Sequence, residues 1–204
     1  MTETAQTSAT YDRIATDYAA RWADVQALEH TRTRFAARLS AGALVLDTGC
    51  GPGWDTARLR ELGLRAYGFD RSIGMLEQAR SRGVPLIQGD MRALPAPDDA
   101  FDGLWACASF LHIPKRDAPA VLREFRRVLR PQGVLYISVK QGDGERWVTT
   151  ESGHQRFFAF YRETEIDELL AAHGFTIVAG WVEPDSRGRP EDWINRLATN
   201  KKGH

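Results

Sequence analysis

The 204 residues carry 27 Lys and Arg against 27 Asp and Glu, a formal net charge of zero, with 43% hydrophobic and 26% charged residues. That composition belongs to a folded domain long enough to bury a core, and it lacks the basic excess of chains that work on nucleic acid or anionic membranes. No run approaches the roughly 18 apolar residues a membrane span needs. The polar residues 1–10 lack the basic start and apolar core of a secretory signal, so the expected location is the cytoplasm.

Cys50 and Cys107 are too few for a disulfide framework, and the five histidines show no metal-ligand spacing, so no metal is expected. Residues 1–10 read as a flexible N-terminal tail. Residues 11–39 show helical periodicity with aromatics at Tyr11, Tyr18, Trp22 and Phe35. Short β-rich runs then alternate with amphipathic helices. Strands are predicted over 43–46, 65–69, 85–87, 101–108 and 134–139. Helices are predicted over 55–62, 73–81 and 118–129, the last with Val121, Leu122, Phe125, Val128 and Leu129 on one face. Beyond them come a helix over 163–173, stopped by Gly174, and strands over 175–182 and 193–199. Strands alternating with helices predict an α/β fold, a doubly wound parallel sheet with helices on both faces. No internal repeat or linker divides residues 11–204.

Gly49, Gly51 and Gly53 follow the first strand and open the first helix. A loop without side-chain bulk lets the backbone turn sharply and approach a ligand. Dinucleotide folds use G-x-G-x-x-G; here Trp54 stands where that motif has its last glycine. Asp70 ends the second strand about twenty residues on, where a carboxylate can accept two hydrogen bonds from a ribose diol. The alternative for Asp70 is a helix N-cap, a task Ser72 can perform. Asp90 ends the third strand in Gly89-Asp90-Met91, where it can accept from an adenine amino group while Met91 lies on the ring face; the alternative is a plain turn.

Together these residues resemble the class I S-adenosylmethionine-dependent methyltransferases, especially the bacterial small-molecule group that includes ubiquinone/menaquinone-type enzymes. The resemblance rests on Tyr11-Asp12-x-x-Ala15-x-x-Tyr18, Val45-Leu46-Asp47-Thr48-Gly49-Cys50-Gly51-Pro52-Gly53, Gly68-Phe69-Asp70, Met75-Leu76, Gly89-Asp90-Met91, Phe101-Asp102, Leu129-Arg130-Pro131-x-Gly133 and His173-Gly174-Phe175. Two mild departures are Thr48 and Gln132, the latter where glycine is common. The resemblance implies a Rossmann-like seven-stranded sheet of order 3-2-1-4-5-7-6 with the last strand antiparallel. It implies S-adenosylmethionine as cofactor and S-adenosylhomocysteine as product. It also implies that Asp47 shapes the loop, that Gly49, Cys50 and Gly51 lie along the methionine part, and that Asp70 takes the ribose. Arg71 and Met75 would flank the adenosine, Asp90 and Met91 hold the adenine, and Ala106 and Cys107 lie under the methionyl group.

A small-molecule acceptor is expected, with neither nucleic acid nor membrane as partner; oligomeric state is not legible. Residues 11–40 would form a helical cap and 141–162 a substrate cover, where the family often inserts one. Candidate acceptor contacts are Tyr11, Tyr18, Trp22, His112, Arg156, Phe157 and Tyr161. His112 follows the fourth strand and is the candidate proton acceptor, against a structural role capping the next helix. The aromatic residues of 141–162 can equally be the packed face of a helix. Three other functions stay open: methylation of a macromolecule, non-catalytic cofactor binding, and nicotinamide-dependent redox chemistry, against which Trp54 and the glycine spacing count.

Overall fold

The computed structural model describes residues 1–21, 28–149, 153–186 and 188–202. Helices α1 (Glu3–Arg21) and α2 (Glu29–Ala36) precede β1 (Leu44–Thr48), α3 (Trp54–Glu61), β2 (Arg65–Asp70), α4 (Ile73–Arg80) and β3 (Leu86–Gln88). Then follow β4 (Phe101–Ala106), a 3-10 turn at Phe110–His112, α5 (Ala118–Val128) and β5 (Leu129–Lys140). The C-terminal part holds β6 (Glu145–Thr149), β7 (Gln155–Ala159), α6 (Glu163–Ala172), β8 (Phe175–Glu183) and β9 (Trp193–Asn200).

Seven strands form one sheet in the order β3-β2-β1-β4-β5-β9-β8, and β6 and β7 form a separate hairpin. Counting only the sheet's own strands, this is the expected order 3-2-1-4-5-7-6. The final strand β9 runs antiparallel to both neighbours, while β1, β2, β3, β4 and β5 are parallel.

The central strands are apolar at consecutive positions because both sheet faces are covered. Side chains alternate between faces. Leu46, Leu104, Leu135 and Ile137 join one core with Val121, Leu122 and Phe125 of α5. Val45, Trp105 and Tyr136 join the other with Phe35 and Leu59. Trp105 stacks on Tyr136 with ring centres 4.1 Å apart, and its indole N–H donates to Asp55 at 2.9 Å.

Three expectations are corrected. The tail expected over residues 1–10 is instead the first half of α1. Thr4, Thr7 and Thr10 are buried: at intervals of three they form one small polar face that packs against β7. The Thr10 hydroxyl donates to the Gln155 carbonyl at 2.7 Å, and the Thr7 hydroxyl accepts from the Phe157 N–H at 3.0 Å. The helix expected over 11–39 is two helices, α1 and α2. Within 141–162, Trp147, Phe157 and Phe158 belong to the β6–β7 hairpin and Phe160 and Tyr161 follow it, none of them in a helix.

The β8–β9 connection is pinned by a buried ion pair. The Lys140 ammonium donates to Asp185 at 2.6 Å and to the Glu191 carbonyl at 2.7 Å, with both charged side chains 2% exposed. The Trp193 indole also donates to Asp185, at 3.0 Å. Lys140→Met should lower unfolding stability by about 3–5 kcal/mol in urea denaturation, because it removes one partner of a buried ion pair. Lys140→Met with Asp185→Leu should recover most of that loss.

Candidate functional site

At the carboxyl end of β1 the chain turns back through Gly49, Gly51 and Gly53, with φ of +79°, +53° and +80°. The Gly49 and Cys50 N–H groups donate to the Phe69 carbonyl at 2.7 and 3.0 Å, and the Gly51 N–H donates to Asp70 at 2.8 Å. Gly49 also lies so close to the turn after β4 that an added Cβ would meet the Ser109 Cβ at 2.3 Å. The Ser109 hydroxyl donates to the Thr48 carbonyl at 2.6 Å, locking the β1 and β4 turns together. Asp47 lies behind the loop, buried, accepting from the Thr56 hydroxyl at 2.6 Å. Burial, with the charge of Asp55 beside it, pushes its carboxyl well above the usual range.

Asp70 faces the space above this loop. One oxygen accepts from the Gly51 N–H and the other from the Ser72 N–H, both at 2.8 Å. Each oxygen keeps a lone pair for a ligand. Burial raises the Asp70 carboxyl above its ordinary value, against the pull of those backbone donors. Ser72 is the N-cap of α4, accepting from the Met75 N–H at 3.1 Å, so Asp70 is released from that task. Asp90 sits between two guanidinium groups, paired with Arg71 and, at 2.7 Å, with Arg92. Burial alone would raise its carboxyl, but the hydrogen bonds from Arg92 and the charge of both arginines bring it below the usual range.

A cavity of about 360 Å³ joins these groups to the far wall, a size typical of small-molecule pockets. Its near side carries Gly49, Cys50, Gly51, Asp70, Arg71, Met75, Asp90 and Met91, and its far side Tyr11, Tyr18, Cys107, His112 and Arg156. Of the expected residues, Asp47, Ala106, Phe157 and Tyr161 are not on the wall. Ala106 is fully buried in the sheet, and Cys107 and Ala108 reach the cavity in its place. Phe157 turns to Trp147, with ring centres 5.6 Å apart, and Phe158 takes its position on the wall. Tyr161 packs on Phe110. Trp22 lies outside the described residues. The cavity also takes in Thr4, Thr7, Ser8, Asp55, Ser109 and Arg189. The threonine spacing was a readable signal of the first two; nothing local marks Ser109, which the register of β1 on β4 brings to the loop.

His112 bridges the far wall. Its Nδ1 lies 2.7 Å from the Phe157 carbonyl, which can only accept, so Nδ1 carries the proton. Nε2 then accepts from the Tyr11 hydroxyl at 2.7 Å. Arg156 in turn donates to the Tyr11 oxygen at 2.9 Å. Burial, with the nearby Arg156 charge, pushes the imidazole down to about 3. His112 is therefore neutral at physiological pH, with both ring nitrogens engaged by protein partners. Both cysteine thiols are pushed up by burial, so they stay protonated and are poor nucleophiles. No group of three or more potential metal ligands occurs among the described residues, and no described helix is long and apolar enough to cross a membrane.

A seven-stranded α/β sheet with a glycine turn and two carboxylates at its switch point defines a nucleoside-cofactor-binding domain. Residues 45–133 match the family model described as a methyltransferase domain. The malonyl-[acyl-carrier protein] O-methyltransferase of Serratia marcescens is 35% identical over 145 residues, 67% of this chain and 55% of that protein. The demethylmenaquinone methyltransferase of Corynebacterium kroppenstedtii is 42% identical over 96 residues, 47% of this chain and 41% of that one. The chain thus spans about half the length or less of these relatives. Among solved structures, the Burkholderia thailandensis 1,6-didemethyltoxoflavin-N1-methyltransferase, with bound 1,6-didemethyltoxoflavin and S-adenosylhomocysteine, superposes with a TM-score of 0.78 at 25% identity, covering 97% of this chain and 88% of that one. Residues 45–133 thus match the methyltransferase-domain family, within a fold shared with S-adenosylmethionine-dependent methyltransferases.

Gly49→Ala should cost about 2–4 kcal/mol of stability, combining left-handed strain with the Ser109 clash. Gly63→Ala, at φ +86° with nothing within 4 Å, should cost only about 1–2 kcal/mol; chemical denaturation of the pair checks the difference. His112 gives a pH signature. Its folded value is depressed from 6.5 to about 3, so the unfolded chain binds the extra proton and stability falls as pH drops through that window. Urea titrations across it should show a smaller loss in His112→Gln than in the wild type.

Proposed function

We propose that this chain transfers a methyl group from S-adenosylmethionine to a small-molecule acceptor held in the same cavity. The observation that carries the reading is continuity: one cavity runs from the glycine turn and Asp70 to the aromatic wall of α1 and β7. When bound, S-adenosylmethionine supplies an activated methyl, displaced from sulfur by the acceptor's nucleophile to leave S-adenosylhomocysteine. The sequence family, and relatives named for a quinone precursor and a carrier-bound malonyl group, support the reading.

The residues suit that cofactor better than a dinucleotide. The N–H groups of Gly49, Cys50 and Gly51 already have protein acceptors, so the loop offers no nest of free donors to a pyrophosphate. A Cβ at Gly51 would meet no atom within 4 Å; the glycine leaves that side of the turn open to a ligand's close approach. Asp70 would accept from the ribose hydroxyls. Met75 and Met91 would supply apolar, polarisable contact to the adenine ring. Asp90, held by Arg71 and Arg92, would present its remaining acceptor capacity at the ring edge. Cys107, Ala108 and Ser109 would flank the methionyl end beside Gly49.

The protein's contribution to rate is then orientation and exclusion of water. Helix α1 closes the cavity from above. Asp12 accepts from the Ser72 hydroxyl at 2.6 Å and the Gly74 N–H at 2.9 Å, and Thr7 and Thr10 hold the hairpin. Tyr11, fixed by His112 and Arg156, forms the acceptor's wall.

In thermal-shift titration, S-adenosylmethionine and S-adenosylhomocysteine at about a hundred times their dissociation constants should raise the melting temperature by about 5–10 °C, and NAD and NADP should not. Asp70→Ala should weaken both S-adenosyl compounds at least about tenfold, through the loss of charge-assisted bonds to the ribose. A shift with nicotinamide cofactors alone, or unchanged affinity in Asp70→Ala, would sink the assignment.

A further inference from the structure

Most charged groups on the cavity wall already have partners. Asp90 lies between Arg71 and Arg92, Arg32 pairs with Asp55 at 2.6 Å, Asp70 accepts two backbone donors and Glu183 accepts from Asn195 at 3.1 Å. Arg156 differs. Its guanidinium makes one hydrogen bond, to the neutral Tyr11 hydroxyl at 2.9 Å. No carboxylate among the described residues pairs with it, and its buried Nε has no acceptor. The guanidinium carbon lies 5.3 Å from the ring centres of both Tyr11 and Phe158.

A half-buried cation without a counter-ion is costly to keep, and five N–H donors with one acceptor leave a planar, oriented fork. Such a fork matches a planar anion bidentately. Tyr11 and Phe158 beside it, with Tyr18 on the same wall, offer faces and edges to a flat ring. Arg189 adds a second positive charge on this side of the cavity, near enough to act on Tyr18. The neutral His112 and its Tyr11 partner form a poor sink for a proton, which suits an acceptor that arrives already ionised.

Resting on the methyl-transfer reading above, we infer that the acceptor is a small planar-ring compound carrying an ionised oxygen, a carboxylate or a phenolate-type oxygen, that binds Arg156 between the Tyr11 and Phe158 rings. Arg156 is then the residue that sets acceptor charge. The cofactor half of the cavity owes it nothing.

The test is calorimetric titration of the wild type, Arg156→Gln and Arg156→Lys, each unloaded and loaded with S-adenosylhomocysteine. The probes are a panel of matched planar compounds: benzoate and salicylate for the carboxylate, 4-nitrophenolate for the ionised phenol, and benzamide as the neutral counterpart. Anions should bind the wild type at least about tenfold more tightly than benzamide. That preference should vanish in Arg156→Gln and be only partly restored in Arg156→Lys, with S-adenosylhomocysteine affinity unchanged in all three. The unliganded Arg156→Gln protein should keep or exceed the wild-type melting temperature, whereas an arginine with a structural role would lower it. Preference for carboxylates over 4-nitrophenolate, or the reverse, identifies which oxygen the site takes. Equal binding of anions and benzamide, no binding of any anion, or a preference that survives in Arg156→Gln overturns the inference. Failure of S-adenosylhomocysteine to bind the wild type overturns the methyl-transfer reading instead, and the unloaded titrations still decide the role of Arg156.

Discussion

The site depends on the missing side chain of Gly49. Strands β1 and β4 are parallel neighbours, so their carboxyl ends emerge side by side and the turns that follow compete for one volume. Gly49 yields that volume to Ser109, which would stand 2.3 Å from any Cβ there. Ser109 uses the space to donate to the Thr48 carbonyl. Ala108, just before it, is held at φ +50°, strained backbone of the kind found where a chain is bent for function. Because the two turns interlock, the cavity floor is set by the sheet register and needs no ligand to form it.

From that floor the other elements follow by hydrogen bonding. The β1 turn is tied to β2 through the Phe69 carbonyl and Asp70, and Asp70 is tied to the start of α4 through Ser72. Asp12 links α4 to α1, and threonines of α1 link to β7. One consequence is that α1, low in apolar residues, is kept in place by polar contacts at both flanks. A surface of this kind binds less tenaciously than a hydrophobic one and opens at lower cost, which suits an element lying over a cavity.

The sheet was legible in the sequence because its strands and helices differ in period and are punctuated by glycine and proline. The order of the last two strands came only from family resemblance, since nothing in residues 175–200 says that β9 inserts between β5 and β8. Gln132 shows the same resemblance explained physically: glycine is common there because the position takes a left-handed turn, φ +62° in this chain. Helix α1 was misjudged at its start because threonine is a weak helix former and its burying face is polar. The hairpin was missed because Arg156-Phe157-Phe158 reads as apolar at any period; alternation sends Phe157 to Trp147 and its neighbours Arg156 and Phe158 to the cavity. Most of the candidates on the glycine-turn side line one cavity because they belong to local strand-end motifs, whereas Asp47 and Ala106 lie within the strands behind it. The far wall of the cavity draws on α1, the turn after β4, and β7, which meet only after folding.

The same division runs through the electrostatics. On the glycine-turn side, Asp90 is neutralised by Arg71 and Arg92, while Asp70 is held by backbone donors alone. Across the cavity, Tyr11 is held between a neutral imidazole and a guanidinium, and two donors to one phenol oxygen are not available from that imidazole, because its only ring proton is committed to the Phe157 carbonyl. Tyr11 must therefore give its own proton to His112 and accept from Arg156, which fixes the direction of the hydrogen bonds linking these three side chains. Protonating His112 would reverse that direction and set two cations against each other. Burial of the imidazole and the Arg156 charge hold its value down, so this arrangement of donors persists across the physiological pH range.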